Sequence, residues 1–190
     1  MILALDSYYK EDICNTSLVL FANVESQIPI YTDTIFTKVK SKYIPGEFYR
    51  RELPGIKKIL FKLKLDHPEY WSAINMIIVD SFITLKTEDK EWDGLGKHLY
   101  NTLAEDEKKI IVGVAKSNFG ECDKISELVY RGTSKTPLYV QSTNDNKVAA
   151  MTIQMMYGKY RIPNMLKEVD KLSRNFDQSN SPIKYFTNYK

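Results

Sequence analysis

Apolar positions in the first forty residues come in short blocks: "MILALD" (1–6), "DICNTSLVLFA" (12–22) and "IPIYTDTIFTKVK" (28–40), the last alternating through Tyr31, Thr34 and Phe36. Blocks of this length bounded by polar residues predict strands. The first is read to end at Asp6, with "SYYKE" as a polar connection, and the three together predict an antiparallel meander. From Leu53 the period lengthens. Ile56, Ile59, Leu60 and Leu63 make an i, i+3, i+4, i+7 stripe with Lys57, Lys58, Lys62 and Lys64 mostly off it, which predicts an amphipathic helix. "NMIIVD" (75–80) and "KKIIVGVAKS" (108–117) are continuous apolar runs typical of strands buried on both faces, separated by the helical pattern "GLGKHLYNTLA" (94–104). A strand–helix–strand order implies parallel crossovers. "PLYVQS" (137–142) is a weaker strand. "NDNKVAAMTIQMMYGKY" (144–160) reads as a helix opened by a capping Asn or Asp and stopped at Gly158, and "PNMLKEVDKLSR" (163–174) as a last helix with Pro163 near its first turn.

The length of 190 residues and 43% hydrophobic content suit one domain. It is placed at 1–175, followed by a polar tail at 176–190. No repeat, low-complexity tract or linker interrupts it. The N-terminus lacks a basic region leading into a long apolar run, and no stretch approaches the ~20 apolar residues of a membrane span, so a soluble, cytoplasmic, monomeric chain is expected. Cys14 and Cys122 have no metal-ligand spacing and are expected to be reduced thiols.

Net charge is only +3, but it is unevenly spread. From Lys38 to Lys64 nine basic residues face two acids, from Asp66 to Glu107 ten acids face three lysines, and from Lys159 to Lys190 seven basic residues face three acids. A basic zone on a nearly neutral chain suits a phosphate backbone, although lysines also simply solvate helix surfaces.

Asp6 and Asp80 each follow an apolar strand run, and open sheets of mostly parallel strands gather ligands at the strands' carboxyl ends. If those strands are neighbours, the two carboxylates can share a Mg²⁺, a hard ion that takes oxygen ligands. Glu52, four residues before Ile56, joins the core-facing stripe if the first turn is helical, and can be a third ligand. Each acid also has a plain structural reading: Asp6 as a turn residue, Glu52 as a favourable charge at a helix N-terminus, Asp80 as a cap on loop amides.

"YIPG" (43–46), "RRELP" (50–54), "IIVD" (77–80) and "VGVAKS" (112–117) occur in the order and at the gaps of the endonuclease V family, and the chain from "LALD" to "KYRIP" resembles it. The resemblance implies an RNase H-like α/β fold, with a central mixed sheet of three antiparallel strands followed by parallel ones, flanked by helices. It also implies an enzyme that uses Mg²⁺ or Mn²⁺ to nick DNA or RNA at the second phosphodiester bond 3′ to hypoxanthine. Carried over, Asp6, Glu52 and Asp80 would be metal-binding carboxylates and Lys116 an active-site lysine. Tyr43 would fill the gap beside a displaced base, in a turn completed by Ile44, Pro45 and Gly46. Phe48, Arg50, Ser81 and Arg161 join them as candidate nucleic-acid contacts, and Arg51 as a strand or packing contact. Such parts answer a chemical need, because an anionic phosphodiester must be neutralised and its attacking and leaving oxygens held in line. Without the neighbouring motif, Tyr43 reads as core filler and Lys116 as a solvated strand-end lysine.

Two departures from the family pattern bear on specificity. "DSFI" (80–83) stands where the family has Asp-Gly-His-Gly, so Ser81 and Phe82 replace residues that let backbone approach the extruded base. "RIPNMLKEVD" (161–170) keeps Arg161 and Pro163, but puts Asp170 where the family's downstream histidine would be. Asp170 is either a further oxygen ligand or the partner of Arg174 four residues on. His98 and His67 read as packing or loop residues. Two other function classes stay open: a nucleic-acid-binding homologue with altered base specificity or lost catalysis, and a metal-dependent phosphoesterase acting on small substrates.

Overall fold

The computed structural model describes residues 1–39, 42, 44, 47, 49–116, 118, 120–130, 135–157 and 164–176. The sequence readings on Tyr43, Pro45, Gly46, Phe48, Ser117, Gly158, Arg161, Pro163 and all of the tail but Phe176 lie outside them.

The chain opens with β1 (Ile2–Lys10), β2 (Ile13–Phe21) and β3 (Tyr31–Lys38), paired antiparallel as the sequence predicts. β1 runs four residues beyond Asp6, because β2 is long enough to pair with it through Lys10 and Ile13. The expected "SYYKE" connection shrinks to Glu11 and Asp12, with Glu11 at a φ of 57° in the left-handed region that tight hairpin links use.

α1 (Tyr49–Asp66) starts four residues before the predicted Leu53 and so includes Glu52 in its first turn. Pro54 inside the helix has no N–H to give the Arg50 carbonyl, a loss tolerated so close to the helix start. α2 (Pro68–Ala73) is a short helix the sequence pattern does not signal. β4 (Met76–Val79) pairs parallel with β1 and with β7 (Ile110–Ala115). Between β4 and β7 stand a small hairpin, β5 (Thr84–Lys86) with β6 (Glu91–Asp93), and the predicted helix α3 (Leu95–Thr102).

The sheet closes with β8 (Glu127–Tyr130), which the sequence does not signal, and β9 (Pro137–Ser142). β9 pairs antiparallel with both β7 and β8, giving a seven-stranded mixed sheet in the order β3-β2-β1-β4-β7-β9-β8. α4 (Asn146–Tyr157) and α5 (Asn164–Ser173) follow. Asp145 caps α4 by accepting from the amides of Lys147 and Val148.

Alternation along the strands builds two cores, one on each sheet face. Leu3, Leu5, Leu18 and Leu20 pack with Ile56, Ile59 and Leu63 of α1 and Leu99 of α3. Ile2, Ala4, Val19 and Phe21 pack with Ile153 of α4 and Val169 of α5 on the other side. Among the described residues no helix is long and apolar enough to cross a membrane. Phe176, the first residue of the expected tail, packs edge-on against Tyr8 and Phe36.

Candidate active site

Strand register sets the two aspartates side by side. Leu5↔Val79 is the last parallel pair between β1 and β4, so Asp6 and Asp80 occupy the next level at the carboxyl end of β4. By alternation Asp6 shares the face of Ile2 and Ala4 and meets α5. There its Oδ2 accepts a 2.5 Å hydrogen bond from the buried Ser173 hydroxyl.

Glu52 reaches the same end from the opposite face. Three residues further along, Gly55 lies directly over Thr16 of β2: a Cβ there would come within 2.3 Å of Thr16 Oγ1. The missing side chain lets the start of α1 rest on the sheet and lowers the Glu52 carboxyl into the interior. Burial is the main force raising the Glu52 pKa to about 8, with the charges of Asp6 and Asp80 adding to it. Asp6 is raised to about 6, again first by burial, with Asp80 and Asp170 adding and the Ser173 hydrogen bond opposing. The three acids therefore share one electrostatic environment with too little positive charge.

Lys116, just past β7, supplies part of that charge: its Nζ donates to Asp80 Oδ2 at 2.8 Å. Burial would lower its pKa, but the Asp80 hydrogen bond and charge outweigh this, with Asp170 and Asp6 helping, and the net direction is upward. Asp170, on α5, takes the helix-surface option: Arg174 Nε and a second guanidinium nitrogen each lie 2.9 Å from its Oδ1. It nevertheless stays close enough to act on both Asp6 and Lys116.

As the side chains stand, no group of three or more His, Cys, Asp or Glu among the described residues is set to hold a metal ion. Three of the acids are engaged elsewhere: Ser173 holds Asp6, Lys116 holds Asp80 and Arg174 holds Asp170. The donor set itself, carboxylates that oppose one another's ionisation around a buried acid, fits a hard dication.

The other predicted residues are more dispersed. Arg50 pairs with Glu47 at 2.5 Å, Arg51 lies 4.2 Å over the Tyr9 ring, and Ile44 is exposed. His98 stacks on Tyr49 at 3.7 Å, and His67 stacks near Tyr70, packing roles in both cases. Ser81 is half-buried, its carbonyl so near Gly113 that a Cβ there would come within 2.5 Å. Phe82 is 9% exposed and packs with Leu85, Ala115 and Cys122, filling the loop after Asp80 with an aromatic ring.

Two polar residues that hold the site carry no sequence signal. Gln141 Oε1 accepts from the amides of Ile83 and Thr84, both at 2.8 Å, while its Nε2 donates to Thr84 O and Ser126 Oγ. Asn15 Nδ2 donates to the carbonyls of Ser173 and Asn175 and fastens the end of α5 to the sheet. Neither stands in a motif, and their partners are far away in the chain.

No protein-family model matches the sequence, and no curated protein matches it significantly. Solved structures do match. Human endonuclease V superposes with a TM-score of 0.72 at 19% identity, over 91% of this chain and 82% of that one. Endonuclease V of Ciona intestinalis, in complex with a 23-mer DNA containing an inosine followed by a ribo-adenosine, gives 0.73 at 17% identity over 91% and 83%. The Streptomyces avermitilis enzyme gives 0.62 at 19% identity over 91% and 79%. At these identities the likeness establishes the fold, which is the one the sequence motifs imply.

Proposed function

We propose that this chain, built on the endonuclease V fold, is a divalent-metal-dependent endonuclease that hydrolyses a phosphodiester bond in DNA or RNA. The observation that carries the reading is the shared environment of Asp6, Glu52 and Asp80 at the carboxyl end of the parallel strands, with Lys116 on Asp80. Such an excess of carboxylates is destabilising by itself and becomes favourable around a cation.

Asp6, Glu52 and Asp80 would hold Mg²⁺ or Mn²⁺, and Asp170 would add charge from α5. The bound ion would neutralise the phosphate and lower the pKa of an attacking water. Lys116, partly exposed, would exchange Asp80 for a nonbridging phosphate oxygen and hold the scissile group. Tyr43, in the "YIPG" motif, is the residue assigned to the gap beside a displaced base, as an aromatic ring can be. Inosine-containing strands are the first substrates to try, because the Ciona relative was captured on one.

Phe82 favours a second reading of base choice. A buried ring after Asp80, where the family has a histidine between two glycines, supports a homologue with altered base recognition. Labelled single and double strands carrying inosine, abasic sites, mismatches or ordinary bases, incubated with Mg²⁺ or Mn²⁺, separate these readings. Metal-dependent nicking lost in Asp80→Ala supports catalysis, with the preferred base read directly. Salt-sensitive binding without turnover, or equal cleavage by the variant, rejects it.

A further inference from the structure

Tyr9 stands three residues after Asp6 on β1, on the same face as Ser7, beneath the start of α1 and opposite Cys14 of β2. Its hydroxyl is buried and, although near the Glu52 carboxyl and the Cys14 thiol, makes no hydrogen bond of good geometry to either. Over its ring, at 4.2 Å, lies the guanidinium of Arg51, whose Nε is likewise buried and unpartnered. Both donors flank the carboxyl of Glu52, the residue after Arg51, and each lowers its pKa against the larger effect of burial.

Buried donors without acceptors are rare and destabilising, and two beside one carboxylate point to an acceptor they are built to meet. An ionised carboxylate has two oxygens with about four acceptor sites, so one oxygen can face a cation while the other accepts a hydrogen bond. Ligands to metals are commonly oriented this way by a second layer of donors. We infer that Tyr9 is a positioning residue for Glu52: its hydroxyl donates to the carboxylate oxygen turned away from the cation, and Arg51 fixes the ring in place. The inference rests on Glu52 as a cation ligand. It assigns Tyr9 a role that no sequence motif indicates, and a Phe here would supply the ring without the donor.

The test is Mn²⁺ binding followed by electron paramagnetic resonance in wild type, Tyr9→Phe, Glu52→Gln and the double variant, with unfolding midpoints in EDTA. Tyr9→Phe is expected to weaken Mn²⁺ binding about tenfold without lowering the metal-free midpoint, and to cause no further loss in the Glu52→Gln background. Binding by Tyr9→Phe equal to wild type, or the same loss in both backgrounds, overturns the role while leaving the cation site intact. Wild type that fails to bind Mn²⁺ overturns the cation site and this inference with it.

Discussion

Lys116 Nζ and Asp80 Oδ2 lie 2.8 Å apart, joining residues 36 positions apart in the chain just past the ends of neighbouring parallel strands. The pair occupies an oxygen that a cation would otherwise use, so Lys116 and a metal compete for Asp80 while cooperating on a phosphate. Lys116→Met keeps the stem and removes the charge. It is expected to bind Mn²⁺ at least as tightly as wild type while cleaving ~10² to 10³-fold more slowly, the scale seen when one donor to a developing charge is lost. Titration calorimetry alongside single-turnover cleavage checks both halves.

The raised acids make stability depend on pH in a definite direction. Glu52 and Asp6 bind protons more tightly folded than unfolded, at about 8 and about 6 against ordinary values of 4.5 and 3.8. Their contribution to stability is therefore complete below about 4 and is lost as pH rises, through about 6 for Asp6 and about 8 for Glu52. Glu52→Gln removes the buried charge. In EDTA this variant is expected to outlast wild type at pH 8.5, with the advantage shrinking toward pH 5. A wild type more stable than the variant at pH 8.5 contradicts the assignment.

Ser173 has one hydroxyl proton and two acceptors in reach, Asp6 Oδ2 at 2.5 Å and the Asp170 carbonyl at 3.0 Å. The shorter, charged bond takes it. Ser173→Ala is expected to lose roughly 1.5–3 kcal/mol near pH 8, where Asp6 is ionised, and less near pH 4.5, where it is protonated. Urea unfolding at the two pH values measures the difference, and an equal loss at both counts against the bond to Asp6.

Gln141 is 3% exposed and satisfies both amides of the loop that follows Asp80. Gln141→Leu keeps similar bulk and strands the buried Ile83 amide, at about 1–3 kcal/mol, together with the partly buried Thr84 amide. An expected loss of several kcal/mol in denaturant unfolding, with weaker cleavage because Asp80 is no longer held, is the outcome to look for. A change below about 0.5 kcal/mol, the range of ordinary surface substitutions, contradicts it.

The long strands and helices were legible because their apolar residues repeat at periods of two or about four over several turns of pattern. β5, β6 and α2 were not, since three to six residues cannot display a period. The pattern predicts too short a β1 because Ser7–Lys10 looks polar, although Ser7 and Tyr9 turn under α1 while Tyr8, on the other face, meets Phe176 and Arg174 and Lys10 is exposed. Asp80 is legible from its place just after a strand and Glu52 from its place on the helical stripe, whereas Asp6 lies inside β1, at the level where β4 stops. Ser173, Gln141 and Tyr9 were not legible, because a lone polar residue acquires its role from a partner that only the fold brings near.

The central claim is that Asp6, Glu52 and Asp80 form one cation site, and anomalous scattering from crystals grown with Mn²⁺ tests it most directly. The account predicts a peak among the three carboxylates, with their oxygens at about 2.1 Å, after Asp6 has turned from Ser173 and Asp80 from Lys116. Crystals saturated with Mn²⁺ that show no peak there, with the Ser173–Asp6 and Lys116–Asp80 bonds intact, would contradict it.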